Sequence, residues 1–221
     1  MDVELNEIEV RVLGSLVEKD LTTPEYYPLS LNALTAACNQ KSNREPVMSL
    51  DESEIVRALD SLKNKHLVWK LDTAAGRVPK YEHNLRPHWE LSDAEISIIC
   101  VLLLRGPQTV GEIKSRTGRM YDFSSLEEVE QSLKQLEQRD DGPFVTRLPL
   151  QPGRKEHRFM HLFSGEIELP EHPVESKAEP ARIRIEQEQQ RIAELEEQVS
   201  YLQNRVESLQ QQFESFRSQF E

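Results

Sequence analysis

The sequence predicts a mainly helical α+β protein, with small β-hairpins, built from two copies of one repeat and a long C-terminal helix. Three observations predict it: helix starts and apolar stripes that recur at fixed offsets, a short hairpin signal behind each third helix, and an unbroken heptad seam at the C-terminus.

The first helix of each copy starts at a capping signal. Asn6 is followed three residues later by Glu9, and Ser92 by Glu95, an offset of 86. In such a box the two side chains satisfy each other's free backbone N–H groups. Behind the caps, Val12, Leu13 and Leu16 match Ile98, Ile99 and Leu102, one apolar stripe per copy. At an offset of 79, Leu31 and Leu34 correspond to Val110 and Ile113 on a short second helix. The first copy carries extra residues around Thr23–Pro28 and again in Asn43–Val47. At an offset of 74, Ile55, Leu59 and Leu62 match Val129, Leu133 and Leu136 on a third helix, with caps expected at Ser49/Glu52 and Ser125/Glu128.

A β-rich run, a turn and a second run follow each third helix. They are Leu67–Leu71, Ala75–Arg77 and Val78–Tyr81 in the first copy, and Phe144–Leu148, Pro152–Arg154 and His157–Leu162 in the second. Three helices and a hairpin, twice, is the order of two tandem winged-helix domains, expected at residues 1–83 and 91–163 with a linker at 84–90. Residues 164–181 hold Pro170, Pro173 and Pro180 among many glutamates and read as a flexible acidic linker. Across 182–221, Ile192, Leu195, Val199, Leu202, Val206, Leu209, Phe213, Phe216 and Phe220 alternate spacings of three and four. This is a coiled-coil seam; β-branched a and Leu d positions favour a parallel dimer. The other reading is a helix that folds back on its own domains.

Two stretches of the first copy and two of the second carry a family resemblance: Ala37-Cys38-Asn39-Gln40-Lys41-Ser42-Asn43-Arg44-Glu45-Pro46-Val47, Lys80-Tyr81-Glu82-His83, Val101–Thr109 and Gln151-Pro152-Gly153-Arg154. On them, residues 5 to about 165 resemble the YceH-like family of bacterial proteins. The resemblance implies a tandem winged-helix fold and brings no activity with it.

The net charge of −12 is uneven. Residues 1–90 carry 11 Lys/Arg against 15 Asp/Glu, residues 91–165 carry 10 against 11, and residues 166–221 carry 6 against 13. Acidity therefore concentrates in the tail and does not exclude a nucleic-acid partner. The N-terminus lacks the basic start and apolar run of a secretory signal, and no window approaches the roughly 20 apolar residues of a membrane span, so a cytoplasmic protein is expected. Cys38 and Cys100 sit in apolar helical patterns and read as buried, reduced thiols.

The sequence contains no Gly-rich phosphate loop, nucleophile elbow, His-Glu-x-x-His or paired cysteines at metal spacing, so neither an enzyme, a cofactor nor a metal is expected. His83 and His88 fall in the linker region; His157 and His161, four apart on an extended strand, would lie about 13 Å apart. The stretch Asn39, Gln40, Lys41, Ser42, Asn43 and Arg44 between the second and third helices is the most promising candidate, because that junction of a helix-turn-helix abuts phosphates. The same residues equally suit a turn that satisfies its own backbone. Further candidate cations are Arg77 and Lys80 on the first hairpin, Lys114, Arg116 and Arg119 after the second helix of copy two, and Arg154, Lys155 and Arg158 on the second hairpin. The third helices argue the other way with Asp51, Glu52, Glu54 and Asp60, and with Glu127, Glu128, Glu130 and Glu137, which phosphates would repel. Two functional readings stay open: a dimeric, duplex-DNA-binding protein of transcription-regulator type, self-associating through its C-terminal helix, or an adaptor that grips another protein.

Overall fold

The computed structural model describes residues 3–71, 78–151, 153–154 and 156–165. The chain divides into units at 1–169 and 170–221. The expected coiled-coil seam from Ile192 to Phe220, in the second unit, lies outside the described residues; so, in the first unit, do the first hairpin turn, with Arg77, and Lys155.

The first unit is mixed α+β, with seven α-helices and two small antiparallel sheets among the described residues. Helix α1 (Glu7–Thr22) starts at the expected Asn6/Glu9 box, α5 (Asp93–Arg105) at the expected Ser92/Glu95 box. The short helices α2 (Leu31–Cys38) and α6 (Val110–Thr117) follow, then α3 (Glu52–Asn64) and α7 (Leu126–Gln138). Two caps differ from expectation. Helix α3 is capped by Asp51 with Glu54, not by Ser49 with Glu52, because Leu50 is held by Asn39 and the helical turn opens only beyond it. Ser125 does cap α7, yet the Glu128 carboxylate turns to Ser124 and the Tyr121 hydroxyl instead of closing the box.

Strands β2 (Val68–Leu71) and β3 (Lys80–His83) form the first hairpin, in register Val68↔His83 to Leu71↔Lys80. The sequence pattern missed β1 (Leu29–Ser30), which pairs with β3 and gives the order β1-β3-β2. Two residues leave no visible alternation. In the second copy β4 (Val145–Arg147) pairs with β5 (Phe159–His161), and Gln108, 79 residues beyond Leu29, bridges Phe159 as β1 bridges β3.

The two copies share one continuous core. Helices α1 and α5 are buried on all sides from Glu9 to Glu18 and from Glu95 to Leu104, wider than the single stripe expected of each. The reason is tertiary: one face meets the helix's own copy, and the other meets the equivalent helix of the second copy. They touch at equivalent positions. Gly14 plus 86 is Cys100, and the Cys100 thiol donates to the Gly14 carbonyl at 3.6 Å. A Cβ at Gly14 would stand 3.0 Å from Leu103 and Leu104. Equivalent positions of the two copies thus meet where α1 and α5 cross.

The repeat extends to ion pairs. Lys65 bonds Glu9 at 2.8 Å, and 74 residues on Arg139 reaches Glu95, the equivalent of Glu9, at 3.4 Å. Residues 84–90, expected as a linker, contain the short helix α4 (Leu85–Trp89), whose Leu85 and Trp89 are buried. Trp89 packs edge-on against Phe144 and Phe163 at 5.2 and 5.6 Å, so the connection is part of the core.

Among the described residues no helix is long and apolar enough to cross a membrane, and no group of three or more His, Cys, Asp or Glu side chains could hold a metal ion.

Candidate functional site

The polar junction between α2 and α3 divides into an inner and an outer set. Asn39 clamps Leu50, accepting its N–H at 2.7 Å and donating to its carbonyl at 2.8 Å. Arg44, expected at the phosphate backbone, is buried instead. Its guanidinium donates to both Glu18 carboxylate oxygens at 3.0 and 2.7 Å and to the Ala37 carbonyl. Arg11, which sequence reasoning passed over, is also buried and donates to the carbonyls of Cys38 and Pro46. Two arginines thus tie the loop to α1 from beneath, and the Glu45 N–H binds the Leu104 carbonyl of α5 at 2.8 Å. Burial alone would raise the Glu18 pKa, but the hydrogen bond and charge of Arg44, helped by Lys19, outweigh it and hold the carboxyl below the usual range.

The outer set, Gln40, Lys41, Ser42 and Asn43, is pushed outward as a result. Asn43 lies at φ 61, in the left-handed region that asparagine tolerates. These four side chains form one wall of a cleft of about 860 Å³ between the copies, opposite α5 and the end of α6. Five cations line it: Lys19, Lys41, Arg105, Arg116 and Arg119. Glu18 is the one lining carboxylate among the described residues, and Arg44 already engages it. Within an acidic chain this is a concentrated positive surplus.

Equivalent positions of the two copies line the cleft. Lys19 and Arg105 are equivalent at an offset of 86, as are Gln40 and Arg119 at an offset of 79. The sequence did carry a signal for Lys19 and Arg105, since each occupies the last turn of its helix, but a cation there ordinarily complements the helix dipole and draws no further attention. Arg105 donates to the Asn43 side-chain oxygen. Burial first, and then the nearby charge of Arg116, depresses its pKa, against the opposing pull of Glu18.

The remaining candidate cations lie elsewhere. Lys114 donates to the Ser124 carbonyl and pins the α6–α7 loop. Arg158 donates to the Pro107 carbonyl at 2.6 Å and pairs with Glu112 at 3.1 Å, bracing β5 against α6. Arg116 shares the same Glu112 at 3.6 Å. Lys80 is half-buried on β3 and Arg154 exposed on the second hairpin, neither of them lining the cleft. Of the cations the sequence nominated, Lys41, Arg116 and Arg119 line the cleft.

His83 ends β3 and is buried, its ring 3.2 Å from Asp20, and His88 lies on α4; neither is in a linker. His157 precedes β5, while His161 ends it and is buried, which lowers its pKa to about 4.

Residues 5–154 match the family described as protein of unknown function DUF480. The chain belongs to this family. Its DUF480 relatives bear the name UPF0502 protein. That of Geobacter sulfurreducens is 58% identical over 169 residues, covering 76% of each chain. That of Geotalea daltonii is 60% identical over 166 residues, 75% of each. The Opitutus terrae protein is 53% identical over 165 residues, 75% of this chain and 72% of its own. Membership leaves the role of the cleft to be read from its chemistry.

Proposed function

We propose that this DUF480 protein is a non-enzymatic, tandem winged-helix protein that binds duplex DNA, paired into a dimer through residues 182–221. The observation that carries the reading is the cleft: five cations from both copies against one engaged carboxylate. The third helices do not lead the contact. On α3, Asp51 and Glu54 are occupied in the cap, and on α7 Glu128 is held by Ser124 and Tyr121, while Glu52, Asp60, Glu127, Glu130 and Glu137 are exposed. Phosphates would meet Lys41 and Arg119 at the exposed rim, and a second copy of the chain would double a modest footprint.

A salt series on purified protein and generic duplex DNA tests this. Affinity should fall steeply as salt rises, and the log–log slope should shrink by about two in a Lys41→Ala, Arg119→Ala double variant, one counterion per lost phosphate contact. No binding at low salt refutes it. Deleting 182–221 should convert a dimer to a monomer in light scattering; a truncated chain that is still dimeric refutes the pairing.

A second reading, a protein adaptor, is favoured by the first hairpin, where Trp69, Leu71 and Val78 are exposed apolar side chains. It predicts that Trp69→Ser leaves DNA binding untouched and abolishes capture of a protein partner.

A further inference from the structure

Like charges gathered in one cleft repel, and a chain that carries twelve more acids than bases has the means to neutralise them. It does not. Among the described residues Lys41, Arg105 and Arg119 have no carboxylate in ion-pair range; Arg116 shares Glu112 with Arg158, which holds it more closely at 3.1 against 3.6 Å. Arg105 is half-buried and spends one of its five N–H groups on Asn43, and the rest find no hydrogen-bond acceptor among the described residues. Ser42 and Gln40 add uncommitted polar groups on the same wall, whereas the Thr22 and Thr23 hydroxyls already donate to α1 carbonyls. The surroundings are thus rich in donors and short of acceptors.

We infer that the part of the cleft around Arg105, with Lys19, Arg116, Arg119 and Ser42, is a binding site for a compact phosphate or diphosphate group. This deepens the reading of the cleft as an anion site without requiring that the anion be duplex DNA. Shape favours a compact group over a long backbone. A duplex presents phosphates in a line, and the cations that would extend a line, Lys80, Lys114, Arg154 and Arg158, lie outside the cleft. A forked guanidinium matches the geometry of two phosphate oxygens, and a partly enclosed site strengthens the attraction over that at an open surface. The volume of about 860 Å³ leaves room for a phosphorylated molecule of nucleotide size.

The test is calorimetric titration of the full chain with inorganic pyrophosphate at fixed low ionic strength. Saturable binding is expected, weakened tenfold or more in Arg105→Gln and severalfold in Arg119→Gln. Lys80→Gln, outside the cleft, should bind as the parent does. Arg119 is exposed and makes no ion pair among the described residues, so its variant decides the matter should Arg105→Gln unfold. Absence of saturable binding, or an affinity unchanged in Arg119→Gln, overturns the inference. Pyrophosphate binding without DNA binding would sink the DNA reading and keep this one, with a small phosphorylated molecule as the source of the group. DNA binding with no response to pyrophosphate would do the reverse. Competition between the two would place both at the same cations.

Discussion

Replacing Arg44 by Met should separate a structural arginine from a phosphate contact more sharply than any other single change. Its side chain is fully buried and gives hydrogen bonds to both Glu18 oxygens and to the carbonyls of Ala37 and Asn43. Met fills most of the space but leaves Glu18, whose side chain is 12% exposed, as a buried carboxylate with only Lys19 nearby at 3.5 Å. Breaking such a pair from one side costs about 3–5 kcal/mol. For a domain of this size that corresponds to a fall in Tm of roughly 10 °C.

The penalty carries a pH signature. The folded pKa of Glu18 lies below the ordinary 4.5, so the pair stabilises the fold above that value and its contribution fades as pH falls through the depressed pKa. In Arg44→Met the orphaned carboxyl is instead protonated readily, so parent and variant should converge towards pH 4. A Glu18→Met, Arg44→Met double variant, with neither charge left, should recover much of the loss. Urea unfolding at pH 7 and pH 4 measures all of this. A cost below about 1 kcal/mol, or no convergence at low pH, would refute the buried-pair account. The same logic shows why Arg44 is a poor probe of ligand binding: its loss would loosen the wall that presents Lys41 and Ser42.

Two other perturbations test the shared core and the buried imidazole. Gly14→Val places carbon where Leu103 and Leu104 already stand at 3.0 Å, and should cost roughly 1–3 kcal/mol in urea unfolding; an unchanged midpoint would contradict the close crossing of α1 and α5. His161 has a folded pKa depressed to about 4, so its neutral form stabilises the protein above the free value of 6.5 and the contribution drains away as pH falls from 6.5 to 4. That loss is of order 3 kcal/mol, and it should be missing from the stability profile of His161→Phe.

Much of the first unit was legible because its signals are local. Capping boxes need residues three apart, apolar stripes need one turn of helix, and hairpins need a turn between short runs. The recurrence at 86, 79 and 74 then made each weak signal count twice. The misses are informative. Strand β1 has two residues and forms only because β3 is there to pair with it. Helix α4 is five residues long and owes its existence to the aromatic pocket that receives Trp89. Asp51 took the cap expected of Ser49 because Asn39, eleven residues before Leu50, holds that residue in place.

The candidate site was half legible. Residue type alone nominated Gln40, Lys41, Ser42 and Asn43, and also Arg116 and Arg119, and all six line the cleft. It nominated Asn39 and Arg44 equally, and those face inward to hold the loop. By itself the sequence determined most elements of the first unit, their order and the duplication, since these follow from backbone hydrogen bonding and apolar periodicity within short windows. Only the tertiary structure decided which cations are pins and which are free, because a guanidinium is one or the other according to whether Glu18 or open cleft lies within its reach. That distance is set by how the α2–α3 loop packs on α1, a contact between Glu18 and Arg44, 26 residues apart, that no local pattern encodes.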